Sequence, residues 1–530
     1  MFRFLQHNKY PILLLCIFLA AESIVHPFGN YPLNDDWSYG KSVLVLLKEG
    51  NIFIGSWCAM TLASHVVWGF LFVKVFGFSF VVLRFSTMVS TLIGIWILFR
   101  LSHELSKRKA VAFIICLAVM FNPMYFNLSN TFMTDVNFNT WMLVCVWWAF
   151  RFFKSNQFIY LIGVFVMSLV LILNRQFGLV LPVAFAFACL FFKWKQPKVL
   201  VSVLLGVLFT YAGFKLYEQY LLHSIPTWSA YKFSGKVNVL DVEFFKAFWF
   251  LFKIRIMVIL LMLLVYTSPF FLMVLPNYYR TLPKRKFFTK AILALALTAC
   301  FFKTELLQGN VFTNMLLGAE TFHDLKEGHT FSAFFQQLVD VLKLVLAFVS
   351  ILGVLSAVSV RKKAIANTQN QAFNCFVVLF IGMYIILMFV SYSTFDRYLI
   401  PVISLLYILY VSIFTAPKIA MVPAIMVLTV FFYVSVFGTK DYMTMNDAKW
   451  QAVKELKENH HVSNDRLNAG FEIMCWNDGV YTWWADYLSL EYADYLIQYN
   501  PSKGYKKINT AYFQRYFPYT RDSISVFERE

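Results

Sequence analysis

Charge is what this chain has least of: Asp, Glu, Lys and Arg make up only 14% of its 530 residues, and the 28 acids are outnumbered by 46 bases. A soluble fold of this length needs charged surface on most of its helices, and a chain that is 60% hydrophobic cannot supply it. Several motifs are missing too. There is no Cys or His spacing of a metal module, no Gly-rich phosphate loop and no long internal repeat, which excludes zinc modules, nucleotide-cradling loops and solenoids. The roughly ten-residue alternating strands of a membrane barrel are also absent. Cysteine implies no disulfide framework. Cys16, Cys116, Cys145, Cys189, Cys300 and Cys375 fall in or beside long apolar runs, where cysteine acts as a small apolar residue, and only Cys58 and Cys475 are placed outside them.

What is present is a series of apolar runs of about twenty residues, long enough as helices to cross a bilayer core of roughly 30 Å. The net charge of +18 could suggest a nucleic-acid partner. The bases, however, collect in short turns: Arg3 and Lys9; Lys107, Arg108 and Lys109; Arg151 and Lys154; Lys193, Lys195 and Lys198; Arg280 through Lys290; Arg361 to Lys363; and Lys418. Every second gap is basic, which is the positive-inside pattern and excludes a nucleic-acid surface.

That alternation predicts about thirteen membrane helices, near 11–28, 81–101, 110–128, 137–153, 157–173, 177–192, 199–219, 246–275, 288–302, 336–359, 372–390, 397–415 and 417–438. The N-terminus is then cytoplasmic and the C-terminus extracytoplasmic. The first span begins basic but has no small-residue cleavage site, so it reads as an uncleaved anchor. Residues 42–76 are apolar but interrupted by Lys48, Glu49, Gly50, Ser64, His65 and Lys74, the pattern of amphipathic helices lying along the interface. The expected fold class is an α-helical polytopic membrane protein, with residues 1–438 forming the membrane domain and 439–530 a small C-terminal α+β extracytoplasmic domain. In that tail Asn446 or Asp447 can cap a helix carrying Trp450, Val453 and Leu456, and strand-like runs follow at 470–474, 495–499 and 523–527. Trp483 and Trp484 could stack on a sugar or pack a small core.

Acids are costly near a bilayer, so those at its rim are candidates for chemistry. Asp35 and Asp36 occupy the first polar gap after the first span. Thr134 and Asp135 stand where the fourth span should start, so Asp135 is either a helix cap or a second functional acid. Arg397 heads the twelfth span, beside Asp396, and Arg175 stands next to Asn174 at the end of the fifth. Each guanidinium offers a planar fork for phosphate oxygens. The competing readings are an ion pair of Arg397 with Asp396, and an Arg175 that snorkels to the interface. Arg84 reads as structural, seating the second span.

The run Asn34-Asp35-Asp36-Trp37-Ser38-Tyr39, then Gly77-Phe78-Ser79 with Leu83-Arg84, then Thr134-Asp135, then Asp396-Arg397-Tyr398-Leu399-Ile400-Pro401, resembles in order and spacing the GT-C glycosyltransferases of the protein O-mannosyltransferase and lipid A aminoarabinose transferase type. The resemblance implies transfer of a sugar from a polyprenyl-phosphate carrier to a glycolipid, polysaccharide or protein acceptor on the outer side, with inversion, at a bacterial inner membrane. It implies Asp35 as general base, with Asp36 and Asp135 as further catalytic acids, and Tyr39, His65, Arg175, Arg397 and Tyr398 as substrate-binding residues. Relatives carry a Lys-Pro-Pro run in the first loop, whereas this chain reads Leu62-Ala63-Ser64-His65-Val66-Val67-Trp68, with His65 at that place. The resemblance leaves room for a divalent metal near the acidic pair, but the sequence supplies no complete ligand set. A transporter or flippase of a lipid-linked glycan is the alternative. It calls for charged or helix-breaking residues at mid-bilayer depth in matching halves, and no such repeat is seen. A catalytically silent scaffold presenting the tail is the third reading.

Overall fold

The computed structural model describes residues 2–55, 57–58, 60–224, 242–302, 333–361, 370–390, 395–414, 418–463, 466–478, 493–517 and 519–530. Its first nine helices are α1 (Phe2–Val25), α2 (Asp36–Glu49), α3 (Ala63–Phe76), α4 (Phe80–Ser106), α5 (Lys109–Met120), α6 (Pro123–Ser129), α7 (Thr134–Ser155), α8 (Phe158–Ile172) and α9 (Val180–Lys193). Longer ones follow at Pro197–Ser224, Val242–Thr281, Ala333–Arg361 and Met421–Asn459, with shorter ones at Lys284–Ala299, Gln371–Val390, Ile400–Ile413 and Phe471–Asp478.

Each range expected to cross the membrane falls on a helix. Among the described residues nine helices are long and apolar enough to span, and α5 with α6 adds a tenth if that bent pair counts as one. The three that fall short have physical reasons. Helix α7 spends its first two turns on polar residues turned into the protein; α8 has 15 residues; and Lys284–Ala299 opens on a basic turn. The 70° bend between α5 and α6 follows from Asn122 and Pro123. The Asn122 side chain accepts from the backbone N–H groups of Met124 and Tyr125, and proline suits the first position of the new helix. From Val119 to Thr140 nearly every residue is buried, so the α5–α7 corner is the centre around which the other helices pack.

The two amphipathic segments expected at the interface are α2 and α3. Helix α3 begins with Leu62 in the left-handed region, φ 59°, a conformation that costs energy for a branched residue and that its surroundings hold in place. Leu62 N–H donates to Asn174 O at 3.1 Å, Ser64 N–H to Leu173 O at 3.2 Å, and the Thr61 hydroxyl to Ile172 O at 2.6 Å. The head of α3 is thereby fastened to the segment that delivers Arg175.

The tail departs from the expected arrangement in two ways. Met421–Asn459 is one continuous helix through residue 438, where the composition changes, so Asn446 and Asp447 cap nothing. Asn446 donates back to Tyr442 O, and Asp447 accepts from the Tyr31 hydroxyl at 2.6 Å. The run at 470–474 is the start of the helix Phe471–Asp478, because Gly470 at φ 101° turns the chain and Ile473 and Met474 N–H groups bond to its carbonyl. The other two runs are strands. β1 (Leu467–Asn468), β2 (Tyr495–Gln498), β3 (Tyr505–Tyr516) and β4 (Tyr519–Arg529) form a sheet ordered β1-β2-β4-β3, antiparallel except for β1 and β2. Trp483 and Trp484 lie outside the described residues.

Candidate functional site

Four segments meet at one end of the bundle, and each brings a charged group. The first leads from α1 into α2. Asn34 sits in the left-handed region at φ 54°, which an Asn tolerates, and turns the chain so that Asp35 and Asp36 point apart. Asp36 is fully buried and its Oδ1 accepts from the Phe132 N–H at 2.9 Å, tying this loop to the one before α7. Asp35 is half-buried, and its Oδ1 accepts from the Trp57 indole N–H at 2.9 Å. Arg84, wholly buried in α4, holds the approach to this loop: its guanidinium donates to the carbonyls of Pro27, Gly29 and Tyr31 and lies over the Tyr31 ring. That is the seating role read from the sequence.

The second loop opens α7. Thr134 is its first residue, and no side chain caps it. Of the two readings of Asp135, the helix cap is therefore not the one seen. Asp135 Oδ1 is 2.6 Å from Arg175 Nη1 and its Oδ2 is 3.7 Å from Arg397 Nε. The competing readings of the two arginines fail with it. Arg175 is 4% exposed and paired rather than snorkelling, and Arg397, 6% exposed, faces Asp135, while an Asp396 side-chain oxygen accepts the Arg397 backbone N–H.

The arginines reach the site by the same device. Each stands at a 3₁₀ turn that feeds a helix, Gln176–Leu179 before α9 and Asp396–Leu399 before Ile400–Ile413. Tyr398 joins them: its ring centroid is 4.8 Å from the Arg175 guanidinium carbon and 5.8 Å from that of Arg397, and Phe395 lies 4.2 Å from the latter. Tyr39 is buried in α2, with its hydroxyl 3.7 Å from Met60 Sδ. His65 is fully buried. Its Nδ1 accepts from the Asn137 amide at 2.8 Å while Nε2–H donates to Phe132 O at 2.9 Å, and its ring stacks on Phe132. Both ring nitrogens are thus engaged by protein groups.

Electrostatics separate the two adjacent acids. Burial raises the Asp35 pKa above the ordinary aspartate value, and Arg397 and the Trp57 N–H oppose the rise. Burial pushes Asp36 further, to about 7, against the pull of the Phe132 N–H and Arg84. His65 is driven down to about 4 by burial, so it is neutral at physiological pH. Burial alone would lower the Arg175 pKa, but Asp135 outweighs it and the net shift is upward. Several buried donors and acceptors of the cluster stay unused. Arg175 Nη2, Arg397 Nε, Asp135 Oδ2 and Asp36 Oδ2 have no hydrogen-bond partner among the described residues.

The donor set does not suit a divalent metal. Among the described residues no three His, Cys, Asp or Glu side chains gather as ligands. Asp135 is committed to guanidinium groups, and His65 has no lone pair to spare. Trp57 is the contact that the sequence reading missed, because a tryptophan in an apolar segment gives no sign that its N–H points at a carboxylate.

Residues 61–214 match the family model described as dolichyl-phosphate-mannose-protein mannosyltransferase, a GT-C family. That segment contains His65, Arg84, Asp135 and Arg175, starting after Tyr39 and ending before Arg397. Among solved structures the chain is similar to ArnT from Cupriavidus metallidurans in the apo state, at 12% identity over 89% of this chain and 84% of that one, with a TM-score of 0.42. The same protein bound to undecaprenyl phosphate gives 11% identity, the same coverages and a TM-score of 0.42. The archaeal oligosaccharyltransferase AglB from Archaeoglobus fulgidus, in complex with an inhibitory peptide and a dolichol-phosphate, gives 12% identity over 86% of this chain and 58% of that one, with a TM-score of 0.34. No curated protein matches the chain.

Proposed function

We propose that this chain is a membrane glycosyltransferase that moves a sugar from a polyprenyl-phosphate carrier to an acceptor hydroxyl, with inversion at the anomeric carbon. The observation that carries the reading is the unused Nη2 of Arg175, a buried charged donor in a cluster that also holds Arg397 and Asp35. A buried guanidinium N–H without an acceptor is costly, and a phosphate oxygen is the acceptor that its fork fits best. Residues 61–214 add the family match.

In this reading Asp35 takes the acceptor hydroxyl's proton as that oxygen attacks the anomeric carbon. The bond from that carbon to the carrier phosphate breaks from the opposite face, and the phosphate leaves with the bonding electron pair. Arg175 and Arg397 stabilise the negative charge it gains, and Asp135 fixes both guanidinium groups so that neither must reorganise during the step. Asp36 and His65 act indirectly. Asp36 ties the Asp35 loop to Phe132, and His65 braces the same residue from α3. Tyr39 and Tyr398 supply aromatic walls for the donor. The acceptor is a hydroxyl of a glycolipid, polysaccharide or protein. The charged cluster stands at helix heads on the side expected to be extracytoplasmic, which suits a lipid-borne donor better than a cytoplasmic nucleotide sugar. The N-terminus is then cytoplasmic, residues 439–530 form the extracytoplasmic domain, and the setting is a bacterial inner membrane.

The test is native mass spectrometry of the protein gently extracted from its own cells, to detect a co-purifying polyprenyl-phosphate sugar, followed by transfer assays with that donor. Asp35→Asn should keep the donor bound and lower transfer by about 10²- to 10⁴-fold, the usual worth of a general base. A protein that never retains such a donor, while another polyprenyl-phosphate binder from the same cells does, would refute the proposal.

A further inference from the structure

A second concentration of charge lies toward the other end of α7. Asp135 and Arg151 are separated along this helix by about 24 Å at the usual rise. Near Arg151, residues of α1, α4, α5 and α7 enclose a cavity of about 460 Å³. Four of its lining side chains are basic: Arg100 and Lys107 from the last turns of α4, Lys109 from the start of α5, and Arg151. Glu104 is the one carboxylate in the lining, and its charge is shared by Arg151 at 3.6 Å and Lys154 at 2.5 Å. Arg100 and Lys107 therefore bring positive charge beyond what Glu104 offsets.

The remaining walls are part polar, from Asn8 and His103, and part apolar. Pro11, Phe99 and Trp96 line it, and Trp96 is 53% exposed, with the Arg100 guanidinium carbon 5.7 Å from its ring. The positive-inside bias explains why bases gather at this end of the helices, but it needs only side chains reaching into water. It does not require them to line a hollow together with an indole on the outer surface of the bundle. Basic groups beside an apolar wall open to lipid have the chemistry of a site for a phosphate that carries an acyl tail. We infer that this cavity binds an anionic phosphate group, the headgroup of a phospholipid of the adjoining leaflet, at a site separate from the charged cluster around Asp135.

The experiment uses the full chain in nanodiscs of phosphatidylcholine containing a minor fraction of phosphatidylglycerol. Stepwise delipidation and native mass spectrometry then count the phosphatidylglycerol retained. The double variant Arg100→Gln/Lys107→Gln should lose retention by at least about tenfold, since each base near a membrane surface contributes about fivefold. Lys193→Gln/Lys195→Gln, which removes two bases from another turn of the same side, should retain as much as the unaltered protein. Glu104→Gln removes the only carboxylate and should raise retention several-fold. Inorganic phosphate distinguishes the sources. Retained lipid that excess phosphate does not displace assigns the site to the headgroup, whereas phosphate binding without retained lipid assigns it to a soluble anion and overturns the lipid assignment. Equal losses in the two double variants, no loss in either, or weaker retention in Glu104→Gln would overturn the site itself.

Discussion

The Asp135 carboxylate, 2.6 Å from the Arg175 guanidinium, is the fixed point of the charged cluster, because its second oxygen also faces Arg397 at 3.7 Å. Three loops far apart in sequence depend on it. Removing it leaves two guanidinium groups buried without their counter-ion, and breaking a buried pair costs about 3–5 kcal/mol. Asp135→Ala should therefore lower the melting temperature in detergent markedly and abolish transfer. Arg397→Ala leaves Asp135 paired with Arg175, so it should be milder in stability while still weakening donor retention. A melting temperature for Asp135→Ala equal to that of the unaltered protein would remove Asp135 from this role.

Much of this was legible in the sequence, and the divisions have physical reasons. Helix positions follow from apolar runs and basic turns, which constrain single segments, and the ranges containing α1 and α4 to α9 come out at the expected places. Asp35, Arg175 and Arg397 stand out because charge is rare at the span ends opposite the basic turns. Pairing is different. Nothing in Thr134-Asp135 distinguishes a helix cap from an acid that bridges two arginines, because the distinction depends on where residues 175 and 397 arrive in space. The tail shows the same limit: Phe471–Asp478 looks like a strand locally and becomes a helix because Gly470 turns the chain, while β3 lacks the regular alternation that would mark it. Trp57 gives no local sign at all.

Arg84 reaches the site only through the backbone. It donates to the carbonyls of Pro27, Gly29 and Tyr31, and so shapes the entry to Asn34 and Asp35. A lysine retains the charge but cannot span three carbonyls with a planar fork. Arg84→Lys should cost about 1.5–3 kcal/mol for a lost charged hydrogen bond and reduce kcat more than donor affinity. Melting curves and transfer kinetics measured on the same preparation check this, and unchanged values in both would show that the loop holds its shape without the guanidinium.

Asp36 gives stability a pH dependence of predictable sign. Its carboxyl titrates at about 7 in the folded chain, pushed up by burial, against 3.8 when unperturbed. Between those values the folded state holds a proton that the unfolded chain has released. Its stabilising contribution is thus complete below about pH 4, falls as pH rises toward 7 and levels off above, with a slope of at most about 1.4 kcal/mol per pH unit. Asp36→Asn keeps an acceptor for the Phe132 N–H and has no proton to lose. Melting temperatures across this window should decline in the unaltered protein and run flatter in the variant; parallel curves would mean that another group titrates.

Asp35 works in the opposite sense, because a base must be ionised to accept a proton. Its pKa is raised by burial, while Arg397 and the Trp57 N–H limit the rise. Transfer should therefore increase with pH through a carboxyl pKa above the ordinary aspartate value and reach a plateau once Asp35 is charged. Trp57→Phe removes one donor from the carboxylate without opening the loop, so the protonated form gains and the acid limb of the kcat/KM profile should move to higher pH. Removing a positive charge acts in the same direction, so Arg397→Gln should also move the limb upward, beyond its effect on donor binding. A limb that stays in place in both variants would show that the titrating group is not Asp35, since both neighbours hold its charged form.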